Sequence, residues 1–529
     1  MGICKRLCGC RRDIKKTMIK RIDNIKLNIT EKESNLIDIA KKKCKGKVKF
    51  FKILKKSLDA RDKNNIFWNY SIAFSDEVQP EKAELEKIRN ASEVAVIGSG
   101  PAGLFCSMRL IERGFKPVII EQGECVDDRK TTCEKFFTER ILNTNSNVQF
   151  GEGGAGTFSD GKLNTQTHDS LNRDVLELFY KFGAPEEILY LNKPHIGSDK
   201  LYDILKNIRR YIEENGGRYM FNTRFIGFRQ KCGQVKSIIL KNVKTCKEEE
   251  LNYDDVVIAL GHSSRKTFEM LNENGLEMQK REFAVGVRVE HLSDSIGFAQ
   301  YGKNYIYLPT ADYKFVSHVH ERTVFTFCMC PGGVVIPSAS EEEGVVTNGM
   351  SAYARNGRNS NSALMVQLKE DDFGSEDLFA GMRYQQKIER LAFEAGGKNY
   401  KAPVQLYKDF AVDKISSGFG EITPTYSAGV SFAPLNEVLP PVAVSALKAA
   451  IPDIGKKLKG FDCPDAVLTG VESRFSSPVR IVRGKNCQSV SVNGIYPCGE
   501  GSGYSGGITS SAADGLKIAE KIYEKYKNH

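Results

Sequence analysis

The 529-residue chain contains no apolar run near the length of a membrane span, no CxxC pair among its 14 cysteines, no short repeat and no low-complexity tract. Because a membrane helix needs about 20 predominantly apolar residues, we expect no membrane span. Cysteines scattered through a long chain that lacks an export signal favour reduced thiols in a cytoplasmic protein. Cys4, Cys8 and Cys10 leave a metal site open near the amino end, but the overall pattern favours no metal.

The positive charge of the chain is concentrated at its amino end. The formal net charge is +11, and residues 1–90 contain twice as many Lys and Arg as Asp and Glu, so the rest of the chain is close to neutral. The apolar pattern within 18–74 predicts three strands and a short helix over 31–43. We therefore predict a separate basic α/β module, whose surface is either a solvated lysine-rich face or a docking site for nucleic acid or anionic lipid.

A complete strand–helix–strand unit is predicted over residues 92–121, with a glycine-rich loop between the first strand and the helix. In that loop Gly98 allows a tight turn, Gly100 lets the backbone approach a pyrophosphate, and Gly103 lets the helix pack closely on the strand. The helix N-terminus then offers free N–H groups and a positive dipole to the phosphates. The residues predicted to bind a dinucleotide here are Gly98, Gly100, Pro101, Ala102 and Gly103.

The second strand of this unit ends at Glu121. An acid at this strand end is placed to accept hydrogen bonds from ribose hydroxyls. An acid rather than an arginine at this position also argues against a 2′-phosphate on the bound nucleotide.

The end of the chain carries another glycine-rich stretch, at 496–507, followed by a helix with an apolar stripe. In flavoproteins whose FAD domain is split, the chain returns at its end to add a strand, a glycine–acid pair and a helix whose positive N-terminus faces the flavin. Residues 256–263 match the strand-then-glycine crossing at which such proteins leave the FAD domain. These patterns predict FAD, bound here by Gly261, Gly499, Glu500, Gly506, Gly507 and Ile508.

Together these motifs resemble those of the FAD-dependent dehydrogenase family of NAD(P)/FAD-dependent oxidoreductases, with a glutathione-reductase-type FAD-binding fold. The resemblance extends over nearly the whole chain and includes the stretches at 57–61, 98–103, 150–163, 283–291, 327–333, 348–351 and 499–508. It implies bound FAD and redox chemistry, and it does not identify a substrate.

Two basic residues have alternative roles. Lys162 ends a loop over 151–163 that holds five glycines, and it either lies near the polar edge of the flavin or belongs to a purely structural covering loop. Arg129 either reaches the adenosine side of FAD or is a surface arginine. No catalytic residue is assigned, and His262, His318 and His320 are each compatible with an acid/base or a structural role. Glu472 and Arg474 either face the flavin or form a simple ion pair.

The middle of the chain favours antiparallel strands at 283–291, 305–308 and 323–330, interrupted by a helix over 375–394. Cys328 and Cys330 lie on the third of these strands, where a bridge between residues so close together would strain the backbone. The CxxxxC pair of glutathione-reductase-like enzymes is absent, so disulfide reductase chemistry is not expected.

We therefore predict an α/β protein with a discontinuous Rossmann-like FAD-binding domain, an inserted, mostly antiparallel β substrate domain and the small N-terminal module. The predicted bounds are 1–90 for the module, 91–270 and 466–529 for the two parts of the FAD-binding domain, and 271–465 for the substrate domain. The predicted function is transfer of hydride or electrons between flavin and an unidentified small molecule, with NAD(P)H as a transient donor. The alternative is an RNA-binding flavoprotein that docks nucleic acid through the basic module.

Overall fold

The computed structural model describes residues 19–44, 47–78, 84–89, 91–374 and 376–527. These residues divide into two compact units, one up to residue 84 together with 190–192, and the other comprising 85–189 and the chain from 193 onward. No helix in the described ranges is both long and apolar enough to cross a membrane. Cys4, Cys8 and Cys10, the three thiols considered for a metal site, lie outside the described residues.

The N-terminal unit is a three-stranded antiparallel sheet with one helix, as the apolar pattern predicted. The strand order across the sheet is Lys20–Asn28, Phe67–Ser75 and Phe50–Asp59. The helix Asn35–Lys43 buries Leu36 and Ala40 in the same core as the sheet, which is consistent with their spacing of four residues.

The larger unit contains a five-stranded parallel sheet, which confirms the predicted Rossmann-like class. Its strands come from distant parts of the chain, in the order Ile495–Pro497, Val256–Ile258, Glu93–Ile97, Lys116–Ile120 and Arg218–Met220. The described helices of this part of the chain are Pro101–Glu112, Val126–Glu139, Leu171–Lys181, Ser198–Glu214, Arg265–Glu273 and Ile508–Lys527. A three-stranded antiparallel meander is formed by Thr223–Lys231, Gln234–Asn242 and Glu248–Asn252.

A seven-stranded sheet forms the second layer of the larger unit, and it is antiparallel except for its last pair. Its strands in order are Val316–Val319, Arg322–Cys330, Asn359–Leu368, Phe283–Leu292, Val467–Glu472, Ala402–Leu406 and Val430–Phe432. The accompanying α-helices are Ser293–Tyr301, Glu370–Phe373, Ala380–Ala395, Tyr407–Phe410 and Pro441–Lys457. Two short ribbons pair Met278–Lys280 with Val479–Ile481 and Val334–Pro337 with Thr347–Met350. Short 3₁₀ helices occur at Ala155–Phe158, Glu186–Leu189, Gly302–Tyr307 and Leu435–Glu437.

The strand predicted at 305–308 is wrong, because the structure forms the 3₁₀ helix Gly302–Tyr307 there. The alternation of apolar and aromatic residues suggested a strand, but Tyr305 packs onto Gly297 of the preceding helix, where a Cβ would lie 2.8 Å from the tyrosine ring. Tertiary packing of one tyrosine thus outweighs the local β preference.

The return of the chain to the FAD-binding part begins later than the predicted residue 466. Val467–Glu472 pairs with Phe283–Leu292 and with Ala402–Leu406 inside the antiparallel sheet, whereas Ile495–Pro497 joins the parallel sheet. We propose that the boundary lies after Glu472, since a strand belongs to the sheet that pairs its backbone.

The first helix of the parallel layer and the C-terminal helix approach each other closely at Gly515. A Cβ at this position would lie 2.1 Å from the carbonyl oxygen of Ala102 and 3.0 Å from the amide nitrogen of Cys106. Both contacts are with backbone atoms, which cannot rotate away as a side chain can.

We expect Gly515→Ala to lower the free energy of unfolding by about 1–3 kcal/mol, measured by urea denaturation, because the added methyl group forces the two helices apart. Gly418→Ala is the matched control, since a Cβ at Gly418 would meet no atom within 4 Å. The control should stay within about 0.5 kcal/mol of the parent protein. Equal stability of the two variants would show that the helices are not in such close contact.

Candidate flavin and substrate site

A cavity of about 740 Å³ lies at the carboxyl ends of the parallel strands and extends to the seven-stranded sheet. Its size is within the range of small-molecule and cofactor sites, and the ends of parallel strands are where α/β sheets bind ligands. The cavity is lined on one side by the glycine-rich loop at 98–103 and the start of the C-terminal helix, and on the other by residues 325–330 of the antiparallel sheet.

The loop at 98–103 has the local geometry that its glycines predicted. Gly98 has a positive φ of 106°, and a Cβ there would lie 2.6 Å from the carbonyl oxygen of Ala259. A Cβ at Gly103 would lie 2.0 Å from the Gly98 carbonyl oxygen, so glycine lets the helix Pro101–Glu112 begin directly against the strand end. At Gly100 the nearest atom to a Cβ would be 3.9 Å away, and that residue lines the cavity.

Glu121 joins three loops at the end of the second strand. Its carboxylate accepts hydrogen bonds from the Ser99 amide at 3.0 Å and hydroxyl at 2.7 Å, and from the amides of Gly123 at 2.9 Å and Gly151 at 3.0 Å. Glu121 is only 6% exposed, and it also lines the cavity. The residue predicted to bind ribose therefore also organises the backbone around the site.

Arg129 is fully buried and faces away from the cavity. Its guanidinium donates to backbone carbonyls of the loop at 147–154, including Glu152 at 2.6 Å, Asn147 at 2.9 Å and Gly154 at 3.0 Å. Burial lowers the pKa of Arg129, which has no carboxylate among these direct partners. The surface-arginine alternative is wrong, because the side chain is buried against the loop at 147–154, and the contact with adenosine stays a prediction.

Lys162 lines the cavity and forms an ion pair with Asp160, with an Nζ–Oδ2 distance of 2.7 Å. Arg355 binds the same carboxylate through two hydrogen bonds of 2.9 and 2.5 Å. Burial opposes ionisation of Asp160, but the two cations outweigh it and lower its pKa. The ammonium of Lys162 is therefore paired with a buried carboxylate that Arg355 also binds.

The two residues of the C-terminal glycine–acid pair have different roles: Gly499 supports the loop, and Glu500 lines the cavity. Gly499 donates its amide to Asp514 at 2.8 Å, and a Cβ there would lie 2.7 Å from the Cβ of Ala102, so this glycine holds the loop onto the two packed helices. Glu500 lines the cavity, with its Oε1 3.3 Å from Nδ1 of His262. His262 is 8% exposed and also lines the cavity, and its Nε2 has no hydrogen-bond partner within the described ranges.

The start of the helix Ile508–Lys527 opens onto the cavity. Gly506 and Gly507 are exposed, line the cavity and have no atom within 4 Å of an added Cβ. Thr509 fixes this helix start by donating its hydroxyl to the carbonyl of Leu163 at 2.7 Å. A long helix therefore presents its positive end and free backbone amides to a ligand in the cavity.

On the sheet side, a buried ion pair forms the floor of the cavity. Arg288 has no exposed surface and binds the carboxylate of Glu472 at 2.9 Å, while donating also to the amide oxygen of Asn348 at 2.9 Å. Burial raises the pKa of Glu472 although Arg288 opposes the shift. Glu472 and Arg474 both line the cavity, and each pairs with a different partner rather than with the other.

A bulge in the strand Arg322–Cys330 separates the two cysteines of the CxC sequence. Cys328 has a positive φ of 40° and is exposed to the cavity, whereas Cys330 is buried. Burial raises the pKa of Cys330 to about 11, and both cysteines are free thiols. A regular strand would point the side chains of residues two apart to one face, whereas here the irregular backbone gives the two thiols different exposure.

Most of the residues predicted to bind the cofactor line this one cavity: Gly98, Gly100, Pro101, Ala102, Glu121, Lys162, Gly261, Glu500, Gly506, Gly507 and Ile508. Gly103, Arg129 and Gly499 are not among the lining residues, and each supports a loop or helix that is. Of the histidines, His262 is brought to the cavity, whereas His318 and His320 are not.

Several residues that line the cavity were not predicted from any pattern in the sequence. Arg224 lies beside Thr223, whose amide donates to the Glu121 carbonyl, and nothing in its strand marks it as functional. Phe325 and Phe475 form an aromatic wall that requires two distant segments to meet. For the sheet side the sequence offered the family resemblance over 327–333 and 348–351 and the candidates Glu472 and Arg474.

The sequence matches known families over most of its length. A profile described as FAD-dependent protein, C-terminal domain-like, matches residues 282–475, and one described as pyridine nucleotide-disulphide oxidoreductase matches 92–291. An uncharacterized protein from Clostridium beijerinckii is 44% identical over 540 residues, covering 96% of this chain and 99% of that protein. The chain belongs to the FAD-dependent oxidoreductases. Its N-terminal residues 18–75 match a domain of unknown function (DUF8436).

More distant similarities are to other proteins of varied activity. A flavin-containing monooxygenase, FMO GS-OX-like 9 from Arabidopsis thaliana, is 27% identical over 210 residues, covering 36% of this chain and 41% of that one. The solved structure of a geranylgeranyl bacteriochlorophyll reductase-like protein from Thermoplasma acidophilum aligns with a TM-score of 0.37 and 10% identity, over 83% of this chain and 79% of that chain.

The cavity of this oxidoreductase fits FAD by the chemistry of its walls. Two helix N-termini, at Pro101 and Ile508, border it and suit a pyrophosphate and the electron-rich edge of a flavin. The open space in front of Gly100 is a cradle that a larger side chain would fill.

We expect Gly100→Val to weaken FAD binding by about 10- to 100-fold or more, corresponding to an overpacking cost of roughly 1–3 kcal/mol or above. The measurement is FAD retained after dialysis, together with the thermal transition of the apoprotein. That transition should stay near the parent's, because a Cβ at Gly100 meets no protein atom within 3.4 Å. Gly103→Val is the contrasting variant and should fail to fold. Full FAD retention in Gly100→Val would mean that the phosphates lie elsewhere.

Glu152, in the covering loop, generates a pH-dependent prediction. Burial raises the pKa of this carboxyl to about 7 from its ordinary 4.5, although Arg209 lies 2.6 Å away and opposes the shift. A carboxyl with a raised folded-state pKa contributes stability that is complete below about pH 4.5 and is lost as the pH rises to about 7.

Ionisation of Glu152 should therefore lower the free energy of unfolding by on the order of 2–3 kcal/mol as the pH rises from 5 to 7. The Glu152→Gln variant should lack this pH-dependent contribution. Urea denaturation at several pH values measures this difference in slope. Glu139→Gln, at the exposed end of the helix Val126–Glu139, is the control and should keep the parental slope. An unchanged slope in Glu152→Gln would contradict the assignment.

Proposed function

We propose that this FAD-dependent oxidoreductase transfers hydride or electrons between its flavin and a small organic molecule bound in the same cavity, against the seven-stranded sheet. One observation supports this most directly: a single cavity is lined both by the dinucleotide loop at 98–103 and by the sheet residues 325–330. In this proposal the loop and the C-terminal helix hold the cofactor, and the second molecule binds against the sheet residues of the same cavity. When bound, FAD supplies the redox chemistry, and the protein supplies binding and orientation.

In this proposal the loop and two helix N-termini bind FAD through Gly98, Gly100, Pro101, Ala102, Glu121, Gly506, Gly507 and Ile508. Gly261, Glu500 and Lys162 complete the lining, while Gly103, Arg129 and Gly499 position it. His262 is the group we propose to hold a proton in the cavity, because its Nδ1 is oriented by Glu500 and its Nε2 lacks a partner within the described ranges.

NAD(P)H is proposed as a transient electron donor rather than as a resident of its own domain. The described residues form one sheet that is parallel throughout, and its strand–loop–helix unit at 92–121 is the site proposed for FAD. No second parallel sheet in the described residues offers a separate site for NAD(P)H. Nothing in the comparisons supports nucleic acid as a partner, since the N-terminal match is to a domain of unknown function.

The test follows the visible absorbance of the flavin without oxygen. We expect protein that releases non-covalent FAD on denaturation, bleaching with NADH or NADPH, and recovery of colour when a screened organic acceptor is added. The Gly100→Val variant is the control, because without bound FAD it should oxidise NADH or NADPH much more slowly than the parent protein. Calorimetry with NADPH should show no second, separately saturable dinucleotide site. Bound FMN, or a flavin that no biological donor reduces, would contradict the proposal.

A further inference from the structure

The sheet side of the cavity has an aromatic wall of Phe325, Phe327 and Phe475. The ring of Phe475 meets that of Phe325 edge-on with centroids 5.1 Å apart, and that of Phe327 at 4.5 Å. All three residues are partly exposed, and all three line the cavity. Since aromatic rings prefer offset or edge-to-face neighbours, this wall suits a further flat ring or conjugated chain.

Four of the six lysines and arginines among the described lining residues are neutralised by carboxylates of the protein. Among the described lining residues, most cations bind carboxylates directly: Lys162 and Arg355 bind Asp160, Lys193 binds Asp312, and Arg474 binds Glu389. Two lining cations have no carboxylate partner in the described ranges, namely Arg224 and Lys314. Arg224 donates to the amide oxygen of Asn145 and lies on the FAD-binding side, near Glu121. Lys314 is therefore the cation left over on the sheet side.

Lys314 lies next to the aromatic wall. Its neighbour Phe315 exchanges hydrogen bonds with Thr326, through the Phe315 amide to the threonine hydroxyl at 2.8 Å and through the Thr326 amide to the Phe315 carbonyl at 2.9 Å. Val316 pairs with Phe325 in the antiparallel sheet, and continuing that register by two residues leads from Val316 to Lys314 and from Phe325 to Phe327. Lys314 is exposed where it lines the cavity, and the described residues offer its ammonium no hydrogen-bond partner.

From this combination we propose that the substrate is an acid with a flat aromatic or conjugated body, whose carboxylate binds Lys314 while its body lies on Phe325, Phe327 and Phe475. This inference rests on the proposed function and names the substrate class of that same cavity. A neutral apolar molecule would leave the ammonium of Lys314 without a partner as it displaces water, and a sugar would leave the phenylalanine wall without apolar contact.

The probe is trans-cinnamate, which combines a conjugated aromatic body with a carboxylate. It is titrated into the FAD-containing protein while the visible flavin spectrum is monitored. Cinnamamide has the same shape without the charge, and acetate has the charge without the body. We expect saturable spectral changes with cinnamate, a dissociation constant about tenfold higher with cinnamamide, and no saturation with acetate at the same concentrations.

Two variants separate the charge from the aromatic wall. Lys314→Gln should raise the dissociation constant for cinnamate about tenfold and leave that for cinnamamide unchanged. Phe475→Leu should weaken both ligands to a similar degree. Lys303→Gln is the matched control, because Lys303 is exposed in the 3₁₀ helix Gly302–Tyr307 and does not line the cavity. All variants should retain FAD, which verifies that they fold.

The inference is overturned if cinnamate and cinnamamide bind equally, if neither binds, or if Lys314→Gln weakens both ligands alike. It is also overturned if Lys303→Gln has the same effect as Lys314→Gln. These results concern the substrate class alone, provided that donors still bleach the flavin in the parent protein. A flavin that cannot be reduced would instead refute the proposed redox function, whatever acids the cavity binds.

Discussion

The buried carboxylate of Glu121 is the contact on which the geometry of the site depends. Four donors from Ser99, Gly123 and Gly151 converge on its two oxygens, so the dinucleotide loop, the turn after the second strand and the covering loop meet at one point. A buried donor without an acceptor costs about 1–3 kcal/mol, and loss of this carboxylate would leave several at once. The acid thus has a structural role alongside its expected contact with ribose.

Arg129 has the complementary role, because its guanidinium donates hydrogen bonds whereas the Glu121 carboxylate accepts them. Its guanidinium donates to the carbonyl oxygens of Asn147, Val148, Gly151, Glu152 and Gly154, which are acceptors and need a donor from another residue. One carboxylate therefore satisfies amides and one guanidinium satisfies carbonyls. Outside the 3₁₀ helix Ala155–Phe158 the loop at 151–163 is irregular, and these hydrogen bonds pair buried backbone groups at its start.

The sheet side of the cavity is built differently, from buried ion pairs in which each cation neutralises a carboxylate. Glu389 is buried between Arg265 and Arg474, and the pair Arg288–Glu472 lies at the floor of the cavity. Breaking one member of such a pair leaves an uncompensated buried charge, so these residues are constrained together. Lys314 differs from these residues, because no carboxylate of the described part of the chain pairs with its ammonium.

The sequence by itself determined the parallel layer, the FAD loop and the C-terminal return, because glycines such as Gly98 and Gly103 and a continuous apolar strand set backbone geometry locally. It also named Lys162 and Glu500 as candidate cofactor residues, and both line the cavity. Only the tertiary structure decided that Arg129 binds a loop, that Tyr305 lies in a 3₁₀ helix rather than a strand, and that Lys314 has no carboxylate partner among the described residues. Each of these depends on which distant residue arrives as a neighbour, and local periodicity carries no information about such partners.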